Sequence, residues 1–433
     1  MMCGERKMRM RGTVAPAIFA FATIFAGMAG AEIGSDRAAA IVVFPKLVVN
    51  RADGLDTLIR LSNTSDREQN VYCFYVNVTP ICSRPGFSCF PDPDVCEAAG
   101  GRCQDQWQET DFLIRLTARQ PTSWLVSQGQ NLCRPALDSG TCSNSSATCR
   151  RDSDCPGARC VFPPCFPLSD ESRRSGPGGQ SNGTSAIPPS PEEPFLGELK
   201  CIAVDESGAP VARNSLQGEA LIGRVNPGGG PLLDVSGYNG IGIPSVAAGN
   251  RDNTLVLGGQ GAEYEGCPYV LILNHFFDGA VDPIATGAGE VRIGTDITLI
   301  PCTEDFRTQN INNLTVTAQM LVFNEFEQRF STSRPISCFK EVRLSNIDTT
   351  ANERSIFSAG VEGTLTGQTR IRGVFTAGSP QGNGLLGIAE EFRCDGPDFP
   401  LCSYTRTDDL ISSATTNLHF QGIRSQSDFF YLP

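Results

Sequence analysis

The chain has 433 residues, with 35 Lys and Arg against 47 Asp and Glu, two His and a formal net charge of −12. A surface this acidic repels phosphate backbones, which argues against a nucleic-acid partner. Eighteen cysteines argue against a reducing compartment.

Residues 1–31 read as a secretory signal peptide. Arg6, Lys7, Arg9 and Arg11 form a basic start, an apolar run follows to Met28, and Ala29-Gly30-Ala31 supplies a small-residue cleavage site. Cleavage there removes four basic residues and one acid, leaving 31 basic against 46 acidic, or −15. No later segment approaches the roughly 20 apolar residues of a membrane helix. Export to the periplasm, cell surface or medium is the expected location.

The mature chain reads as all-β. Predicted strands of a first domain, residues 32–228, are Ile41–Val49, Asp56–Asn63, Asn70–Val78, one or two within Asp111–Val126, Gly197–Asp205 and Gly218–Val225. Roughly seven strands is the number of an immunoglobulin-like antiparallel sandwich. Residues 82–107 and 130–165 interrupt this series as cysteine-rich insertions, and 166–194, rich in Pro, Gly and Ser, read as a flexible loop. A second sandwich is expected over 229–433. Its candidate strands are Tyr269–Asn274, Val291–Ile300, Leu314–Glu327, Ile336–Ser345, Ser355–Leu365, Leu385–Phe392 and Thr416–Gln421. The run Leu314–Val322 alternates most cleanly, with apolar side chains opposite Thr315, Thr317 and Gln319, the period of a half-buried strand.

The two insertions share one cassette, C-S-x5-C-x2-D-x-D-(x)-C-x4–6-C. Cys82, Cys89, Cys96 and Cys103 align with Cys142, Cys149, Cys155 and Cys160. Spacings of mostly five or six residues without CxxC or His argue for disulfides over zinc. Asp92, Asp94, Asp152 and Asp154 are the only Ca²⁺ candidates. Two carboxylates per cassette fall short of the about six oxygens such an ion needs, so they read as turn caps and no cofactor is expected. Outside the cassettes, Cys73 and Cys201 lie in predicted core strands and are expected to bridge across the sheets. Cys394 and Cys402 are expected to clip the loop between them, and Cys133 to pair with Cys165. Seventeen cysteines remain after cleavage, so one stays unpaired or joins another chain.

Catalytic patterns are sparse. His275 and His419 each precede Phe without a G-x-S-x-G, H-E-x-x-H or P-loop motif, and read as structural. The acid pairs Glu325/Glu327 and Glu390/Glu391 are the candidates for paired carboxylate chemistry. The first pair is expected to share one strand face. Five N-x-S/T sequons occur, at Asn63, Asn77, Asn144, Asn182 and Asn313, and are expected to be unused.

The stretch LIRLSNTSDREQNVYCFYV resembles part of chaperone-like and microtubule-associated sandwich domains. RDSDCPGARC resembles the disulfide knuckle of whey-acidic-protein and Dickkopf-type modules. The double cysteine of the former is absent, because Val161 follows Cys160. The D-x-D-C cassettes also look similar to insertions in uncharacterised exported bacterial proteins. The resemblances imply a stapled exported fold and no known activity. The functional expectation is a structural, adhesion or binding role toward an unknown protein or glycan. The alternatives are a secreted hydrolase working on carbohydrate through carboxylates, and an outer-membrane assembly subunit.

Overall fold

The computed structural model describes residues 33–87, 89–90, 93–131, 140–145, 147–149, 155–157, 160–161, 186–190, 192–225, 232–285, 290–309, 315–349, 354–374, 382–395 and 410–433. Residues 1–31, the expected signal peptide, lie outside them, as do 166–185 and 191 of the expected flexible loop, whose residues 186–187 form a short strand paired with 130–131.

The chain is all-β. Its principal strands in chain order are β1 (Ile41–Val49), β2 (Leu55–Asn63), β3 (Gln69–Asn77), β4 (Gln108–Leu116), β5 (Pro121–Leu125), β6 (Phe195–Val204), β7 (Leu216–Val225), β8 (Leu232–Asn239), β9 (Ile241–Ile243) and β10 (Thr254–Leu257). There follow β11 (Pro268–Phe276), β12 (Val291–Pro301), β13 (Glu304–Asp305), β14 (Thr315–Asn324), β15 (Arg329–Ser337), β16 (Lys340–Arg343), β17 (Thr366–Val374), β18 (Leu385–Asp395), β19 (Leu410–Asn417), β20 (His419–Ile423) and β21 (Asp428–Tyr431). The alternation read in 314–322 is realised in β14, where Val316, Ala318, Met320 and Val322 face inward.

These strands form five main sheets. The first has the order β9-β1-β6-β3-β4 and the second β8-β7-β2-β5. The third is β10-β21-β13, the fourth β15-β14-β17-β11-β20, and the fifth β12-β18-β19 with β16 on the outer edge of β12. Neighbouring sheets close into a propeller-like ring. β1 of the first sheet packs on β2 and β7 of the second. β8 of the second lies beside β19 of the fifth, where the Asn417 amide bonds to the backbone of Asn239. β12 and β18 of the fifth pack on β11 of the fourth. The Cys267–Cys302 disulfide ties the start of β11 to the approach to β13, joining the fourth sheet to the third. The third returns to the first through Phe306 stacked on Phe74 at 4.1 Å.

Two immunoglobulin-like sandwiches are therefore not what the chain builds. In that fold the first strand joins the sheet that contains the second. Here β1 pairs with β6 and β9, while β2 pairs with β7 and β5. Nor do the sheets separate at 228/229, since β8 and β9 return to pair with β7 and β1. One buried cluster runs from Ile41 and Phe74 to Phe392 and Phe430. The local period of two reports which side chains turn inward, but not which sheet covers them.

Two further expectations change. Residues 355–365 are not a strand. They contain a short helix, α1 (Ala359–Glu362), ended by Gly363 in the left-handed region at φ 67°, where its N–H reaches Ala359 O. The run to Glu327 stops at Asn324, whose Oδ1 accepts N–H bonds from Phe326 and Gln328 and closes a turn. Glu325 and Glu327 therefore sit in that turn and not on a strand face.

Candidate functional site

Only four lysines occur in the whole chain, at 7, 46, 200 and 340, so nearly all of its cations are Arg. Lys46 and Lys200 are fully buried, each between two glutamates. Pro45 lacks an N–H for the ladder, and the β1–β6 register slips between Phe44 and Leu47. At that bulge the Lys46 N–H donates to Tyr238 Oη at 3.1 Å. Its Nζ lies 2.7 Å from Glu341 on β16 and 2.7 Å from Glu390 on β18. Ser236 Oγ also donates to Glu390, at 3.0 Å. Burial alone would push the Lys46 ammonium down, but the two carboxylates outweigh it and hold it above its ordinary value. Burial pushes the Glu341 carboxyl up, against the pull of Lys46.

The second cluster lies between the first and third sheets. Lys200 Nζ is 2.5 Å from both Glu198 and Glu304, and all three side chains are at most 3% exposed. Burial lifts the Glu198 carboxyl to about 8 despite Lys200. Glu109 nearby is also lifted to about 8, by burial and then by Asp111. Cys338 completes this region. It is the free cysteine among the described residues, buried and at φ 64°. Burial and the neighbouring Glu304 and Glu198 push its thiol well above the usual range, which makes it a poor nucleophile.

An open cleft of about 620 Å³ lies where β11, β14 and β17 end. Asn274, Phe276, Phe323, Glu325, Thr366, Gln368 and Glu391 line it. Glu325 accepts bonds from Thr366 Oγ1 at 2.6 Å and Thr366 N at 3.0 Å, which hold it below the ordinary carboxylate value. Glu391 is pushed up by burial while pairing with Arg393 at 2.8 Å. One member of each acid pair seen in the sequence thus borders this cleft. Their partners do not: Glu390 is held by Lys46, and Glu327 is in the turn at φ 61°. His275 also lines the cleft, though it is only 5% exposed. Its Nδ1 is 2.9 Å from Phe276 O, and a carbonyl can only accept, so Nδ1 carries the proton. Nε2 then accepts from Thr369 Oγ1 at 2.8 Å. Burial pushes this imidazole down to about 4. His419 is exposed on β20, away from any such network.

The cassettes are stapled loops. In the first, Cys82 pairs with Cys96 and Cys89 with Cys103, first to third and second to fourth. In the second, Cys142 pairs with Cys155, again first to third. Cys82 faces Cys103 across a two-residue ladder, and Cys142 faces Cys160 in the same way. Among the described residues the two cassettes share the first-to-third disulfide and a ladder that opposes the first and fourth cysteines. Cys82, Cys89 and Cys96 come close enough to hold a metal, but all three are consumed in disulfides. Asp92, Asp152 and Asp154 lie outside the described residues, as do the side chains of Asp94, Cys149 and Cys160.

Cys73 and Cys201 are joined, with Cα atoms 4.1 Å apart. They face one another on adjacent strands β3 and β6, so the bridge staples one sheet and does not cross between two. Cys394 is disulfide-bonded, and Cys402, Cys133 and Cys165 lie outside the described residues. Asn63 and Asn77 are buried with their amide nitrogens bonded to Arg67 O and Glu192, so the folded chain withholds both sequons; Asn144 is exposed.

Neither the models of known protein families nor the curated proteins contain a match to this chain.

Proposed function

We propose that this is an exported, non-catalytic protein that binds a protein or glycan at a surface through its stapled loops. The observation that carries the reading is the first cassette. Two interlocked disulfides fix a loop that leaves Ile81, Phe87 and Val95 51%, 43% and 50% exposed. Exposed apolar side chains on a rigid loop are pre-organised for contact, because little entropy is lost when they bind. The buried acids Glu198 and Glu341 are held in ion pairs with Lys200 and Lys46, and the His275 imidazole is held by Thr369. Disulfides throughout the chain fit an oxidising compartment. Among the described residues no helix is long and apolar enough to cross a membrane. Sequencing the secreted chain tests export, with a start at Glu32 expected. Glycan and protein arrays test binding, with signal expected for the intact chain and none after reduction.

One observation favours the hydrolase reading: Glu325 and Glu391 border one cleft with their carboxyls pushed in opposite directions. Acid and base roles require such a split. Turnover of any glycoside that Glu391→Gln abolishes would replace the binding reading.

A further inference from the structure

The rarity of lysine makes the Lys200 cluster stand out. Two of the four lysines of this Arg-rich chain are fully buried between glutamates. At Lys200 the surroundings are dry. Phe306 stacks on Phe74, the Phe430 ring lies 6.0 Å from Nζ, and the three charged side chains are closed to solvent. Glu198 and Lys200 share one face of β6, two residues apart, while Glu304 arrives from β13 of the third sheet. An amine within 2.5 Å of a carboxylate oxygen is already within reach of the carboxyl carbon.

We propose that Lys200 and Glu304 condense to an intramolecular amide that covalently joins the first and third sheets. The resting ion pair first passes one proton from Nζ to the Glu304 carboxylate, giving a neutral amine beside a carboxylic acid. The nitrogen lone pair attacks Cδ of Glu304 and forms the C–N bond. Glu198, 2.5 Å from Nζ, takes the second amine proton and hands a proton to the departing hydroxyl. The C–O bond breaks and one water leaves, so no oxidant or co-reactant is needed. Glu198 Oε2 has no hydrogen-bond partner among the described residues, which leaves that oxygen open to carry the proton. Burial favours the uncharged acid that this role requires. Exclusion of water favours condensation over the reverse hydrolysis. The Lys46 cluster is an internal comparison. There Glu390 is also held by Ser236 and the Glu341 side chain is 13% exposed, so the pair stays ionic.

Intact mass spectrometry of the mature chain, followed by tryptic mapping after reduction, tests this. The expected result is a mass lower by one water than the disulfide-bonded chain. A branched peptide should contain Lys200 and Glu304, with tryptic cleavage after Lys46 and Lys340 but not after Lys200. Glu198→Gln, which preserves shape, should restore the full mass and the cleavage. Full mass in the wild-type chain with cleavage after Lys200, or a water loss that maps elsewhere, overturns the proposal without any variant having to fold. An amide that persists in Glu198→Gln overturns the role given to Glu198.

Discussion

Replacing Lys46 by Met keeps an unbranched side chain, one atom shorter, and removes the ammonium with its two hydrogen bonds. The ammonium is 1% exposed and sits 2.7 Å from both Glu341 and Glu390. Without it two carboxylates remain together in a site where burial already raises one of them. Breaking a buried ion pair from one side costs about 3–5 kcal/mol, most of it the uncompensated charge left behind. Lys46→Met is therefore expected to lose about 3–5 kcal/mol in equilibrium urea unfolding at pH 8. Adding Glu341→Gln and Glu390→Gln should recover most of that loss, because neutral amides no longer repel each other. The single variant should also be less impaired at pH 5, where the stranded carboxyls can take up protons. A loss under about 1 kcal/mol for Lys46→Met at pH 8 would refute the reasoning, since an exposed pair costs no more than that. So would a triple variant no more stable than the single one.

Other predictions concern single groups. His275 has its folded value lowered from 6.5 to about 4, so its contribution is present above pH 6.5 and is lost as pH falls through 4. That shift corresponds to about 3 kcal/mol, and His275→Gln should flatten the acid limb of stability against pH. Glu109 has its folded value raised from 4.5 to about 8, so its contribution is full below pH 4.5 and is lost as pH rises through 8. Glu109→Gln should make the chain less sensitive between pH 4.5 and 8 in the same assay. The Cys73–Cys201 bridge closes a separation of 128 residues, and replacing both by Ala should cost about 2–5 kcal/mol by thermal unfolding. Cys338 should resist a thiol reagent in the native state and react on denaturation; native reactivity would contradict its burial.

Local pattern carried the strands well. β1 coincides with the predicted Ile41–Val49, and β2, β3 and β6 begin and end within two residues of expectation. Alternation is a property of neighbours in sequence, so it is legible there. The sheets were not, because pairing of β1 with β6 spans about 150 residues and depends on which faces cover one another. The same limit applies to the sites. The cassettes could be read because four cysteines recur in one pattern with two aspartates between the second and third. Lys46, Glu341 and Glu390 meet only in space, and Lys200 finds Glu304 only when the third sheet closes on the first. The one sequence signal for them was the scarcity of lysine, which marks the positions but not their partners. Missed strands such as β17 (TGQTRIRGV) put Gly367, Thr369 and Gly373 beside Ile371 on the inward face, so the apolar period is nearly absent.

The central claim is that the stapled loops form the working surface, and replacing residues 82–103 by a Gly-Ser linker tests it most directly. The measurement is retention of the purified chain on the envelope of its own producing cells, with thermal unfolding as the control on folding. The account predicts that retention falls to background while the chain keeps one cooperative unfolding transition, lowered only by the loss of Phe90, because Phe90 is the one described side chain of 82–103 in the main core and Cys82, Cys89 and Cys96 form a cluster of their own. Unchanged retention with an intact fold would contradict it.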